Sequence, residues 1–103
     1  MLFDNERIKI MKSELEEAKK EIKELLVRYG FPTYGVDICP PNKIHVECKR
    51  DDLKEEGVSM VISRSEYYWN LTMLGDDRHH HFTDKEKMLE FIENTLRELV
   101  KCC

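Results

Sequence analysis

A β-hairpin is indicated most clearly by residues 34–48, which read YGVDICPPNKIHVEC. Apolar and polar residues alternate on either side of Pro40-Pro41-Asn42, a pattern typical of two strands joined by a turn. The loop sets the pairing, and the predicted partners are Tyr34 with Cys48, Val36 with Val46, Ile38 with Ile44, and Asp37 with His45. The first three pairs lie on one face and the fourth on the other, so the hairpin has one apolar face.

A second hairpin is predicted after a charged connection over residues 50–57. Apolar residues alternate at Val58, Met60 and Ile62, and again at Tyr67, Trp69, Leu71 and Met73. A tight turn within Ser63–Glu66 would set Met60 opposite Trp69. By this alternation Tyr67 and Trp69 belong to the buried face, and Tyr68 belongs to the opposite face.

A short edge strand is predicted at Arg78–Phe82, after a third turn signal at Gly75-Asp76-Asp77. This strand contains the consecutive histidines His79, His80 and His81. Because neighbouring residues of a strand point to opposite faces, only His79 and His81 can share one.

A long helix is predicted from Asp4 to Tyr29, before the hairpins. Its apolar stripe, in steps of three and four, is Ile8, Met11, Leu15, Ala18, Ile22, Leu25 and Tyr29. Asp4 is the predicted N-cap, and Gly30 is the predicted left-handed residue that ends the helix. The same spacing also fits an intermolecular coiled coil.

A closing helix is predicted after the last strand. Thr83-Asp84-Lys85-Glu86 has the spacing of a capping box, with Thr83 as the N-cap. The apolar stripe that follows is Met88, Ile92, Leu96 and Leu99, flanked by Phe91 and Val100.

These elements together predict one α+β domain over residues 1–103, in the order α-β-β-β-β-(β)-α, with four or five antiparallel strands. Strands that alternate cleanly bury one face only. Both helices are therefore expected to cover the same face of the sheet, in a two-layer arrangement.

Charge and composition exclude several classes of function. The 103 residues carry 17 Lys and Arg against 21 Asp and Glu, a net charge of −4, so we expect no direct binding to nucleic acid. No apolar run approaches the roughly 18 residues that a membrane span needs, and the N-terminal residues lack the order of a signal peptide. We therefore expect a cytoplasmic protein with reduced cysteines.

Motifs for catalysis or cofactor binding are missing from the sequence. There is no glycine-rich phosphate loop and no H-E-x-x-H or G-x-S-x-G pattern, so no catalytic residue and no cofactor is predicted. Cys39, His45 and Cys48 lie close in the chain, but strand periodicity puts Cys48 on the buried face and the other two on the opposite face. No metal ligand is assigned, and a metal-binding protein that uses Cys39, His45 or residues 79–81 is the alternative.

The face of the sheet that the helices leave uncovered is the predicted functional surface. It should carry Ser59, Val61 and Thr72 beside the binding residues that we predict, which are Asp37, His45, Glu47, Tyr68, Asn70, His79 and His81. Tyrosine is enriched in binding hot spots, which favours Tyr68 among these.

The helix–sheet–helix order resembles that of the frataxin family, which has a comparable length, an acidic balance and a tryptophan in a central strand, here Trp69. The resemblance implies the fold only, because frataxins carry a dense acidic ridge on their first helix, whereas lysines such as Lys19 and Lys23 interrupt the glutamates here.

The same order resembles that of small acidic inhibitors from phages and mobile elements, such as anti-CRISPR proteins, and of immunity proteins that neutralise toxins. The resulting expectation is a non-catalytic protein-binding module that occludes the basic nucleic-acid-binding site of another protein. A homodimer closed through the uncovered face is a further alternative.

Overall fold

The structure is a computed structural model that describes the backbone of residues 2–49, 57–74 and 78–101, and side chains from residue 12 to residue 100 within those ranges. Residues 50–56 of the predicted connection at 50–57, and the predicted turn at Gly75-Asp76-Asp77, lie outside the described residues. The side chains of Ile8 and Met11, the first two of the predicted stripe, are also outside.

Two helices flank five strands along the described chain. They are α1 (Leu2–Arg28), β1 (Val36–Cys39), β2 (Lys43–Lys49), β3 (Gly57–Arg64), β4 (Trp69–Met73), β5 (His79–Phe82) and α2 (Lys85–Lys101). All neighbouring strands pair antiparallel, and their order in the sheet, β1-β2-β3-β4-β5, follows the chain. The predicted α+β order is confirmed, including the fifth strand.

Both helices cover one face of the sheet, as predicted. α1 packs on β1 and β2, α2 packs on β4 and β5, and the two helices contact each other. The core between the layers is Leu15, Ala18, Ile22, Leu25, Leu26, Phe31, Val36, Ile44, Val46, Cys48, Val58, Met60, Ile62, Trp69, Leu71, Met88, Ile92 and Leu96. The stripe of α1 from Leu15 to Leu25 is therefore buried within this chain and does not serve an intermolecular coiled coil.

The first hairpin has the predicted register. Val36 pairs with Val46, Asp37 with His45, and Ile38 with Ile44. The prediction for Tyr34 was wrong, since β1 begins only at Val36 and the Tyr34 side chain is 79% exposed. Tyr34 and Gly35 lie in a turn before β1, although the Gly35 carbonyl oxygen still accepts a hydrogen bond from the Glu47 amide opposite it (2.9 Å).

The second hairpin has a different register from the predicted one. Met60 pairs with Met73 and not with Trp69, because the strands are joined by a four-residue loop, Ser65–Tyr68. The amide and the hydroxyl of Ser65 both donate to the Tyr68 carbonyl, at 2.9 and 3.1 Å, and close this loop. Tyr67 lies in the loop and is 70% exposed, so its assignment to the core was wrong. Trp69 is buried as predicted.

The end of α1 is a Schellman motif. Gly30 has a φ of 80° and donates its amide to the Val27 carbonyl (3.1 Å), and the Phe31 amide donates to the Leu26 carbonyl (2.8 Å). Phe31 and Leu26 are both buried, which provides the hydrophobic contact that accompanies this motif.

The starts of both helices differ from the predictions by one or two residues. α1 begins at Leu2, so Asp4 lies inside its first turn and is not the N-cap. α2 begins at Lys85, and the Asp84 carbonyl accepts the first helical hydrogen bond, from Met88 (3.2 Å). Asp84 therefore holds the N-cap position that the capping-box pattern assigned to Thr83.

Gly35→Ala should lower the free energy of unfolding by about 1–3 kcal/mol, because the added Cβ would meet the neighbouring backbone. That Cβ would lie 1.8 Å from the Glu47 carbonyl oxygen. Urea denaturation followed by Trp69 fluorescence measures the loss. Tyr34→Ala is the matched control and should stay within about 0.5 kcal/mol of wild type. A large loss for the tyrosine variant would contradict its place outside the core.

Candidate functional site

The uncovered face of the sheet, called the open face below, contains side chains from all five strands. Its members alternate with the core residues and are Asp37, Cys39, Lys43, His45, Glu47, Lys49, Ser59, Val61, Ser63, Asn70, Thr72, His79 and His81. Six of the seven predicted binding residues are among them, and the seventh, Tyr68, lies in the loop before β4.

Strand register arranges these residues in rows across the sheet. One row is Asp37, His45, Val61, Thr72 and His79, and the next is Cys39, Lys43, Ser63, Asn70 and His81. Neighbouring strands lie about 4.8 Å apart, so His45 on β2 and His79 on β5 are separated by roughly 14 Å. The predicted residues therefore form two groups with Val61 between them, and not one compact site.

The β4–β5 group is organised by side-chain hydrogen bonds. His81 Nδ1 contacts Asn70 Oδ1, and His79 Nδ1 lies 2.9 Å from Thr72 Oγ1. Asn70 Nδ2 donates to Ser65 Oγ (3.5 Å), so the amide oxygen faces the His81 ring and that ring donates through Nδ1. Each exposed histidine is thus oriented by the residue opposite it on β4.

Tyr68 extends this group beyond the end of the strands. Its ring packs edge-on against His81, with centroids 6.2 Å apart and an angle of 76° between the planes. The Ser65 bonds hold its backbone, and its side chain is 47% exposed. Tyr68 is therefore an ordered aromatic side chain at the border of the open face.

His80 points to the other side of β5, as strand geometry predicts. Its ring lies 4.4 Å from that of Phe91 on α2 and 6.4 Å from that of Phe82, measured between centroids. The three histidines therefore have different surroundings, because two face solvent on the open face and one packs against the helix layer.

The β1–β2 group surrounds a shallow depression. Asp37, His45 and Glu47 are exposed, and they line this depression together with Tyr34 and Cys39. Tyr34, which was expected in the core, is thus one of the residues that line the depression. Sequence reasoning missed it because Gly35 and the end of the strand break the alternation.

Charges on the open face nearly balance. Asp37 and Glu47 are offset by Lys43 and Lys49. The negative charge gathers on the helical side, around two clefts that run beside α1 and α2. Their acidic residues are Glu14, Glu17, Glu21, Glu24, Asp84, Glu86, Glu90 and Glu93, and their basic residues are Arg28, Arg64, Lys85 and Lys87. The sequence alone does not predict these clefts, since the neighbours of the α1 glutamates on α2 are unknown until the helices pack.

Ion pairs cross from α1 to α2 within these clefts. Lys85 Nζ lies 2.9 Å from Glu17 Oε1 and 3.0 Å from Glu21 Oε1, and Arg28 pairs with Glu93 at 2.9 Å. Burial is the largest single effect on the pKa of Lys85 and lowers it, but the two glutamates outweigh burial and leave that pKa raised. The hydrogen bond and charge of Lys85 lower the pKa of Glu17.

The cysteines and the histidine of the first hairpin are not arranged as metal ligands. No three of their His, Cys, Asp and Glu residues are grouped so that they could hold a metal ion. Cys48 is buried on the core face, and burial raises the pKa of its thiol, whereas Cys39 and His45 lie on the open face. The candidate set Cys39, His45 and Cys48 is therefore not brought together.

Comparisons with known proteins give no family for this chain. It matches no protein-family model, and neither a curated protein nor a solved structure is found that is similar to it. The likeness to frataxins is therefore one of element order alone. Within the described residues, neither helix is long and apolar enough to cross a membrane.

Lys85→Met should make stability less sensitive to acid. Because the pKa of Glu17 is lowered in the folded state from its ordinary 4.5, the ion pair stabilises the fold above that pH and its contribution disappears as the pH falls through the folded value. Urea denaturation should therefore give a difference between wild type and Lys85→Met at about pH 7 that shrinks toward about pH 3.

The exposed Lys87, two positions along α2, provides the control. The difference between wild type and Lys87→Met should change less with pH than that for Lys85→Met. Equal pH dependence of the two variants would contradict a specific role for Lys85.

Proposed function

We propose that this protein is a non-catalytic module that binds another protein through the open face of its sheet. The observation that supports this most directly is the ordered group formed by Tyr68, Asn70 and His81. These side chains are held by hydrogen bonds and ring packing, and yet they are accessible. Side chains that are already ordered lose less entropy when a partner binds, which favours them as contact residues.

The open face has the composition of a binding surface. Partly exposed Val61 lies at its centre, polar side chains surround it, and Tyr68 and Leu74 lie at opposite ends of β4, 47% and 59% exposed. An apolar centre with a polar rim is typical of interfaces between proteins. Tyrosine supplies both apolar area and a hydrogen-bonding group, so Tyr68 is the residue on which we expect binding to depend most.

The partner class that the charge favours is a protein with a basic nucleic-acid-binding site. A net charge of −4 attracts such a surface at long range. The open face itself is nearly balanced, so its contacts would be hydrogen bonds from lysine and arginine of the partner to Asp37, Glu47 and the histidines. Occlusion of the basic site would make the protein an inhibitor of the kind that phages and mobile elements encode, acting in the cytoplasm.

Photo-crosslinking tests the surface before the partner is known. A photoreactive residue replaces Tyr68 on the open face or Val27 on α1, which is 66% exposed. In lysate of the source cells, the Tyr68 position should link covalently to one distinct protein, and the Val27 position should not. Crosslinking from Val27 alone would reject the open face, and crosslinking to a second copy of this chain would favour a homodimer.

Tyr68→Ala should weaken the complex with the identified partner at least about tenfold, or about 1.4 kcal/mol, because it removes the aromatic side chain that we expect to contribute most to binding. Biolayer interferometry with the purified partner measures the affinity, and thermal denaturation should give nearly the wild-type melting temperature. Tyr67→Ala is the matched control, since Tyr67 is in the same loop and 70% exposed. Equal loss in both variants, or none in either, would reject the proposed role of Tyr68.

A further inference from the structure

The edge strand β5 places two imidazoles side by side on the open face. His79 and His81 are both exposed and are separated by one residue, His80, which packs against Phe91 on the other side. Residues two apart on a strand start about 6.5–7 Å from each other on the same face. Imidazole side chains are long enough to converge from this spacing on one ion, at bonds of about 2.0–2.1 Å.

The hydrogen bonds to β4 also select which ring nitrogen is available. Nδ1 of His81 donates to the Asn70 amide oxygen, and Nδ1 of His79 lies 2.9 Å from the Thr72 hydroxyl. Because the Asn70 oxygen accepts, a neutral His81 has its proton on Nδ1 and its lone pair on Nε2, whereas the Thr72 hydroxyl can donate or accept, so His79 has this tautomer when the hydroxyl accepts. Histidines that bind metals typically have their other nitrogen held in this manner by a neighbouring polar group, which fixes the tautomer and the ring orientation.

We propose that His79 and His81 chelate one divalent transition-metal ion through their Nε2 atoms, with Thr72 and Asn70 as positioning residues. Two neutral imidazoles suit Cu²⁺, Ni²⁺ and Zn²⁺ and do not suit Mg²⁺ or Ca²⁺, which take oxygen ligands. Two protein ligands leave further coordination positions of the ion for water or for a side chain of another molecule. The site is thus an open, exchangeable one on the protein surface.

Of the two sets of candidate metal ligands that the sequence suggests, only the one at residues 79–81 is arranged for such a site. Cys39, His45 and Cys48 divide between the two faces of the sheet, whereas His79 and His81 share a face, and each has its own hydrogen-bonding partner on β4. The proposal also stands apart from protein binding, since the purified chain alone can be tested for it.

Titration with Cu²⁺ and Zn²⁺, followed by isothermal calorimetry, should give one ion per chain, with Cu²⁺ bound more tightly. Electron paramagnetic resonance of the Cu²⁺ complex should show coupling to two imidazole nitrogens. His79→Gln and His81→Gln should each weaken Cu²⁺ binding strongly, and any ion that still binds should couple to one imidazole nitrogen. Unchanged affinity in either variant would overturn the proposal.

The control variant is His80→Phe, which retains a ring against Phe91. A disordered run of three histidines would lose affinity similarly whichever one is replaced. If His79 and His81 bind the ion from one face of β5, His80→Phe should bind it with wild-type affinity. A loss of affinity equal to that of His79→Gln would overturn the proposal. Far-UV circular dichroism of each variant checks that the sheet is intact.

Positioning by β4 is tested with Thr72→Val and Asn70→Ala, which remove the hydrogen-bonding partners of the two rings and keep both histidines. Each variant should bind Cu²⁺ about tenfold more weakly, the effect expected when a group that orients a metal ligand is lost. Affinity that is unchanged or raised in both variants would mean that Nε2 is not selected as proposed and would overturn the assignment of these two residues.

Discussion

Burial of one face of the sheet beneath two helices is the constraint on which the other features of this protein depend. Ile44, Ile62 and Leu71 lie on the three central strands and are fully buried, and the helices supply Ile22 and Leu96 from above. Because side chains alternate along a strand, every residue between these apolar positions must project from the opposite face. The open face is thus a direct consequence of the core.

The first hairpin could be predicted in detail because its connection leaves few choices. Two prolines and an asparagine separate the alternating segments, and the paired positions follow from that short loop. The second hairpin could not, because serine, arginine and glutamate permit several loop lengths. The longer loop moved the partner of Met60 by four positions, from Trp69 to Met73. Because the shift is an even number of residues, each strand residue stays on its predicted face. The predictions of which strand residues face the core and which lie on the open face were therefore still correct.

Residues next to the strands were harder to predict than residues within them. Tyr34 and Tyr67 both fit the alternation of the neighbouring strand, and both lie outside the sheet, Tyr34 in the turn before β1 and Tyr67 in the loop that the Ser65–Tyr68 hydrogen bond closes. Leu26 was missed although it follows Ile22 by four positions and therefore lies on the same side of α1, where it is buried. Membership of the open face followed from periodicity alone. The contacts of His79 and His81 with β4 could not be predicted in this way, because they depend on the β4–β5 register. The clefts between the helices could not be predicted either, because they depend on how the helices pack.

The order of the strands in the sheet, which repeats their order in the chain, bears on how the protein reaches this structure. Each strand pairs with the next one along the chain, so the sheet can assemble from hairpins with little entropy lost in closing loops. Topologies rich in such local pairings fold faster than those that join distant segments. The contact of α1 with α2 is different, since Arg28 and Glu93, which it brings together, are 65 positions apart. Docking of the two helices therefore closes a longer loop than the pairing of neighbouring strands does.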